Sequence, residues 1–350
     1  MTRRVRGDGA SWHARAPARI DFAGGWTDVP DYAAREGGVV VSAAISRYAH
    51  VDAVRGGAGV RLHAEDLKVR VRYDSPADIR YDGTLDLHKA ALNMLPVTGG
   101  LELLSRCDLP PGSGLGASGA LDVALCAALA TARGERYDPL ELAELGFQLE
   151  AEELKLAGGR QDQYTAALGG FNQLTFGEGP VAVRPLRVTR EAALDLERHA
   201  VLAYTGESHF SSATHRRVWS AWEAGEARVR DALRAIRDLA TGVPERLEAG
   251  DWEGVAALVD ENWIQQRALD ATISTPRTQE IERAARAAGA WGVKATGAGA
   301  GGCLLALAPA ARRAAVAAAV TGAGAQVLEF AFEFDGVRSW ETVDADRNAG

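Results

Sequence analysis

From Asp108 to Ala120 the chain reads DLPPGSGLGASGA, with Gly112, Gly114 and Gly116 at alternate positions between an apolar run, LELLSRC, and a long alanine- and leucine-rich stretch. A strand-to-helix junction of this composition lets backbone N–H groups approach a ligand closely and sets them beside the positive end of the following helix. The ligand that suits is a phosphate, and the expected cradle is Pro111, Gly112, Ser113, Gly114, Leu115, Gly116, Ala117 and Ser118. Ser118 stands where it can cap the helix or offer its hydroxyl to a magnesium ion. An ordinary turn accounts for one or two such glycines and explains a third poorly. The stretch has no lysine, which sets aside the GxxxxGK[ST] loop. Gly112-x-Gly114-x-x-Ala117 formally fits the dinucleotide fingerprint, but that fold needs a strand ending in an acidic residue about twenty positions on. Here a second helix starts near Asp138, which leaves a nicotinamide enzyme a minor alternative.

A second cluster, AGGRQDQYTAALGG, carries Asp162 just beyond Gly158 and Gly159. A carboxylate held where an acceptor hydroxyl arrives can take its proton as the oxygen attacks phosphorus. Capping of the helix QYTAAL is the competing role for Asp162, and the two are compatible. Glu152, near the end of the preceding helix, is the expected magnesium ligand beside Ser118, with Glu150 as its substitute. The N-terminal ARAPARIDFAGGWTDVPDY runs a strand with Arg19 and Asp21 into Gly24 and Gly25, then Trp26, Thr27 and Asp28. Carboxylate, hydroxyl and a flat aromatic face together suit a polyol; a β-turn with a half-buried tryptophan is the plainer reading of that stretch in isolation. In KATGAGAGGCLLALAP, Gly297, Gly299, Gly301 and Gly302 exceed the need of a hairpin. They imply close approach either of the first loop or of a ligand.

The elements that must position these clusters follow from pattern. Trp12 to about Asp74 alternates like strands, with Ala16–Phe22 and Val39–Val54 the longest runs. Long helices follow from Ala117, broken at Gly134 and at Gly158–Gly159, and GGFNQLTFG and VAVRPLRV return to strand. Residues 190–200 read as the crossing into a second part: the strand HAVLAYTG, helices from Ser212 to Thr272, then helix, strand, glycine turn, strand, helix and two final strands. The expected domains are 1–190 and 191–350, of α+β class. With 350 residues, 47% of them hydrophobic, the chain can bury a large core. A net charge of −8 disfavours a nucleic-acid partner. Cys107, Cys126 and Cys303 lie far apart without a CxxC pair and read as reduced thiols. The basic start, MTRRVRGDGASW, is followed by no apolar run of signal length, and no run reaches membrane length, so a cytoplasmic location without membrane partners is expected. Both ends read as frayed tails.

Taken together, APARIDFAGGWTDVPDY, PPGSGLGASGALDVA, GGRQDQYTAALGG and KATGAGAGGC resemble, in order, the motifs of the GHMP kinases, a family that includes galactokinase, homoserine kinase, mevalonate kinase and phosphomevalonate kinase. The resemblance covers essentially the whole chain. It implies an N-terminal domain with a left-handed β-α-β unit, a ferredoxin-like C-terminal domain and an active site between them. It implies ATP on residues 112–118, magnesium on Ser118 and Glu152, Asp162 as base with Arg19 beside it, and an acceptor contacted by Gly25, Trp26, Thr27, Asp28, Gly297 and Gly299. Where galactokinases read Gly-Glu-His-Thr-Asp-Tyr, this chain reads Gly24-Gly25-Trp26-Thr27-Asp28-Val29. The FAGGxTD form with QDQY is similar to the heptose-phosphate kinases, and Trp26 to the L-fucokinases. The expected activity is transfer of the ATP γ-phosphate to a sugar or sugar-phosphate hydroxyl, at the anomeric position. A galactokinase- or mevalonate-kinase-like enzyme and a non-catalytic sugar-binding regulator are the alternatives. Homodimer formation and the roles of His209, Ser211 and Arg216 stay open, and His88 reads as a packing residue.

Overall fold

The computed structural model describes residues 10–207 and 212–343. The expected frayed ends, and His209 and Ser211, lie outside the described residues. Strand-like alternation near the N-terminus produces two long antiparallel partners, Ala10–Ala23 and Gly38–Arg55, paired from Ser11 opposite Val54 to Ala23 opposite Val41. They form the spine of an eight-stranded sheet. Gly38–Arg55 is long enough to serve two more partners on its other edge, Leu101–Cys107 through Ala49–Arg55 and Phe171–Phe176 through Gly38–Ala43. Val60–Ala64 runs parallel to Leu101–Cys107. The crossover that a parallel pair demands holds Val69–Tyr73 and the helix Asp86–Met94.

The opening is less purely β than the alternation predicts, because Pro30–Glu36 forms a short helix with proline in its first turn and Gly37 behind it. The helix after the glycine loop, Ala117–Arg133, buries Ala120, Ala124, Ala127 and Ala128 completely or nearly so. Side chains this small bring the helix close over the sheet. It stops at Gly134, whose φ of 74° suits glycine. Pro139–Gln148 then starts with a reciprocal cap, Asp138 accepting from Leu140 and Glu141 N–H while Glu141 accepts from Asp138 N–H. This is the helix that set the loop apart from a dinucleotide fold.

Past the helix Arg190–His199 the chain builds an antiparallel four-stranded sheet in the order Gln326–Val327, Ala200–Tyr204, Cys303–Leu307, Gly292–Ala295. Helices Ala227–Ala249, Trp252–Leu269, Pro276–Ala287 and Arg313–Gly322 accompany it. The architecture is α+β with two sheets. The sequence pattern groups the last strand, Arg338–Val343, with residues 191–350. Its partner is the first strand, His13 opposite Trp340. Among the described residues no helix is long and apolar enough to cross a membrane. The three cysteines are free thiols, and Cys126 and Cys303 are buried.

One apolar core joins the two sheets. Ile20, Phe22, Leu115 and Phe171 meet Leu202, Val243, Trp252 and Cys303, with Phe332 among them. Phe332 lies 4.7 Å from Phe171 and 6.3 Å from Phe22, ring centre to ring centre, and its N–H donates to Glu197 Oε1 at 2.8 Å. Phe332→Ala is expected to lower the unfolding free energy by about 3 to 5 kcal/mol in urea titration, since the cavity opens in the seam between two rigid layers. A loss below about 1 kcal/mol would mean that the seam repacks around the missing ring.

Candidate active site

Arg19 sits where the first strand passes beneath the glycine loop. Its backbone N–H donates to Leu115 O at 2.9 Å and its Nη1 to Gly114 O at 2.6 Å. Its Nε and Nη2 reach Asp162 Oδ1 at 2.8 and 2.7 Å. A buried guanidinium needs partners of opposite charge and fixed geometry. Burial alone would lower its pKa, but Asp162 and Asp21 outweigh burial and hold it above the ordinary value. Asp162 is the second residue of the helix Gln161–Leu168 and makes no capping bond. Its side chain is 28% exposed, so the carboxylate meets Arg19 on one side and open space on the other. Of the two roles that sequence leaves open to Asp162, base and helix cap, the cap is absent; the direct partner of its carboxylate is Arg19.

The loop itself is held from behind. Gly112, Gly114 and Gly116 all have φ between 70° and 73°. A Cβ on Gly114 would lie 2.6 Å from Thr296 O, and one on Gly116 3.0 Å from Arg19 Cγ. Leu115 is fully buried and anchors the loop in the seam. Ser113 is also turned inward, with its carbonyl accepting from Cys303 N–H at 2.8 Å. Pro111, Gly112 and Ser118 are exposed and Gly114 and Ala117 partly so. No side chain caps the helix that begins at Ala117. Its first-turn N–H groups therefore keep their capacity for an anion.

Ser118 Oγ donates to Glu150 Oε1 at 2.5 Å, and Gln163 Nε2 to Glu150 Oε2 at 2.9 Å. Glu152 is exposed and makes neither contact. Residues two apart on a helix point to nearly opposite sides, so only one of the two glutamates can face Ser118. Leu149–Glu153 is moreover a widened turn, with Leu154 N–H bonded to Leu149 O. The oxygens of Ser118 and Glu150 suit a hard divalent cation. Burial raises the Glu150 carboxylate pKa, with Asp162 adding to it. Asp122, whose two side-chain oxygens are buried without a hydrogen-bond partner, is pushed well above the carboxylate range by burial and by Glu150.

On the acceptor side the structure separates residues that sequence had grouped. Asp28 accepts from Gln161 N–H at 3.0 Å and Gln161 Nε2 at 3.3 Å. Burial above all, helped by Asp162, raises its pKa to about 6. Trp26 does not offer its face to a ligand. It is 4% exposed at φ 81°, and its ring stacks on His215 with 4.4 Å between centres. Thr27 is likewise spent inside the turn, its hydroxyl donating to Gly24 O and accepting from Val39 N–H. Gly25 keeps the turn tight, since a Cβ would lie 2.8 Å from Asp21 Oδ2. Of the later glycines, Gly297 gives its N–H to Asp21 Oδ1 and its carbonyl to Gln266 Nε2, and Gly299 packs on Ile273. Gly302 abuts Ser113 O. This turn supports the loop from behind, and backbone crowding rather than an acceptor accounts for its glycines.

His88 bonds Ser105 Oγ at 2.7 Å in the core, where burial lowers its pKa to about 4, as its packing role predicts. Arg216 lines a surface groove of about 350 Å³ with Arg217, Ser220 and Glu226. Gln161, Gln163 and Asn262, which donors and acceptors of the site use, carried no expectation; Gln161 and Gln163 flank Asp162 in sequence, whereas nothing near Asn262 signals its bond to Gly24 N–H.

A buried arginine paired with a helix-borne aspartate beside an uncapped, glycine-lined helix start fits a small-molecule kinase. Residues 84–170 match the GHMP kinases N-terminal domain and residues 244–326 the GHMP kinases C-terminal domain. The chain is 30% identical over 93% of its length to D-glycero-alpha-D-manno-heptose 7-phosphate kinase of Campylobacter jejuni, covering 98% of that protein. It is 26% identical over 79% of its length to L-fucokinase/L-fucose-1-P guanylyltransferase of Bacteroides fragilis, covering 32% of that longer protein. A D-glycero-D-manno-heptose 1-phosphate kinase structure from Bacteroides thetaiotaomicron superposes with a TM-score of 0.78 at 27% identity, covering 94% of this chain and 98% of that one. The chain belongs to the GHMP kinase family: it is a phosphotransferase that uses ATP and acts on an alcohol group of a small molecule.

The Asp28 environment gives a pH signature. A carboxyl raised from 3.8 to about 6 on folding favours the fold below about pH 4, and that contribution is lost as pH rises through 6. Asp28→Asn stays neutral and can still accept from Gln161 N–H. It is expected to exceed the parent in stability at pH 7 by up to about 3 kcal/mol and to match it near pH 4. Thermal unfolding across pH 4–8 reads this out; equal pH dependence in both proteins would mean that Asp28 is ionised at ordinary cost.

Proposed function

We propose that the chain transfers the γ-phosphate of ATP to the anomeric hydroxyl of a sugar or sugar phosphate such as heptose 7-phosphate or L-fucose. The observation that carries this reading is the two-contact fork of Arg19 on Asp162 beside the uncapped helix start. The substrate class is supported by the heptose 7-phosphate kinase and L-fucokinase relatives. The reaction runs in the cytoplasm, and a homodimer is compatible with it.

Asp162 takes the proton from the acceptor hydroxyl as its oxygen bonds to the γ-phosphorus, the bond from that phosphorus to the ADP oxygen breaks, and ADP leaves. Arg19 fixes the direction of the Asp162 carboxylate. The N–H groups from Gly112 to Ser118 bind the phosphates and stabilise charge that grows during transfer. Asp28 accepts from acceptor hydroxyls. Ser118 and Glu150 would hold magnesium, which supplies charge neutralisation on the phosphate oxygens.

Asp162→Asn is expected to lower kcat by about 10² to 10⁴-fold with little change in ATP KM, measured by ADP release. Retention of parental turnover would remove Asp162 as the base. Screening ADP release with L-fucose, D-galactose, mannose, heptose 7-phosphate and mevalonate tests the acceptor class. Turnover with mevalonate alone would overturn the sugar reading, and sugar binding in calorimetry without ADP release would make the chain a sensor.

Glu150→Gln should raise the magnesium concentration for half-maximal rate by about tenfold or more, and Glu152→Gln should leave it near the parent value. The reverse ranking would return the metal ligand to Glu152.

A further inference from the structure

Lys294 lies on the strand Gly292–Ala295 and is 1% exposed. Its Nζ donates to Asp21 Oδ2 at 2.5 Å, Asp21 O at 3.2 Å and Ala295 O at 3.1 Å. All three ammonium hydrogens thus have acceptors. Asp21 gives its other oxygen to Gly297 N–H at 3.1 Å, and that same oxygen stands 3.9 Å from Arg19 Nη1. Arg19 therefore has two carboxylates within reach, Asp162 in direct contact and Asp21 across a gap. From Lys294 through Asp21 and Arg19 to Asp162 the charges alternate in sign, starting in the smaller sheet and ending at the reacting centre.

We propose that Lys294 is a positioning residue for phosphoryl transfer: by neutralising Asp21 it leaves the Arg19 guanidinium committed to Asp162 and to the Gly114 carbonyl, and so aims the base and the phosphate loop together. This rests on Asp162 being the base. The physical reason is the cost of an isolated buried charge. Asp21 is 1% exposed, and without Lys294 the nearest cation that can compensate it is Arg19. Closing the 3.9 Å gap would turn the guanidinium away from Asp162. Burial pulls the Lys294 ammonium below its usual range while Asp21 opposes that. The glycine turn after Lys294 is part of the same device, because Gly297 N–H shares Asp21 and Gly297 lies against Gly114.

The test compares K294M with the double variant D21N/K294M in the full-length chain, after thermal unfolding confirms that each is folded. K294M is expected to lose at least about tenfold in kcat with acceptor KM within about threefold, because Arg19 is drawn off the base while the acceptor contacts remain. In D21N/K294M no carboxylate competes for Arg19, and kcat should return to within about threefold of the parent, a rescue that a merely structural lysine would not show. K294M with parental kcat, or a double variant as slow as K294M, overturns the proposal. If K294M does not fold, the double variant decides alone, since a loss beyond about threefold contradicts the charge argument. Crystal structures of parent and K294M need no acceptor and separate this proposal from the proposed function. Arg19 Nη1 at about 3 Å from Asp21 in K294M supports it, and an unmoved Arg19 overturns it even if no sugar in the screen is phosphorylated.

Discussion

Arg19 is the constraint on which the site depends. A guanidinium that is almost wholly buried must have its donors met, and here they are met by two parts of the chain far apart in sequence, the loop at Gly114 and the helix at Asp162. Its own N–H adds a bond to Leu115 O. The glycine loop and Asp162 are therefore set relative to each other by one side chain on a central strand. A strand inside an eight-stranded sheet is a stiffer mount than any loop, which is what chemistry sensitive to fractions of an ångström requires.

The two sheets are not independent bodies hinged at the site. They share an apolar core in which Leu115 of the glycine loop is itself a member, so the loop's position is coupled to packing between the layers. The glycine turn of the smaller sheet presses on the back of the loop at Gly114 and Ser113, and the final strand returns to pair with the first.

Much of this was legible in the sequence. Alternation marked Ala16–Phe22 and Val39–Val54, which lie inside the strands Ala10–Ala23 and Gly38–Arg55, alanine-rich periodicity marked the helix Ala117–Arg133, and the alternate glycines Gly112, Gly114 and Gly116 marked the loop. The ordered motifs carried the family and, through it, the two-sheet fold. Less legible were the residues whose local sequence suits two roles. Trp26 is as suitable for stacking on a ring of its own protein as on a sugar, and His215, its partner, is far away in the chain. Thr27 can bond a ligand or its own turn. Glu150 and Glu152 are chemically alike, and the widened turn that decides between them leaves no mark in composition.

The sequence by itself determined where glycines let the backbone turn and come close, which stretches had to be buried, and that a glycine-rich strand-to-helix loop and Asp162 were both present as candidates for a phosphate cradle and a base, because these properties are set by residue type and near neighbours. Tertiary structure alone decided the partners. Arg19 could have paired with Asp21, two residues away, yet it contacts Asp162 directly and stands 3.9 Å from Asp21, whose charge is taken by Lys294 from the other sheet. Pairing of buried charges depends on distances across the fold and on the cost of leaving any one of them alone in a low-dielectric interior, and neither quantity is carried by position along the chain.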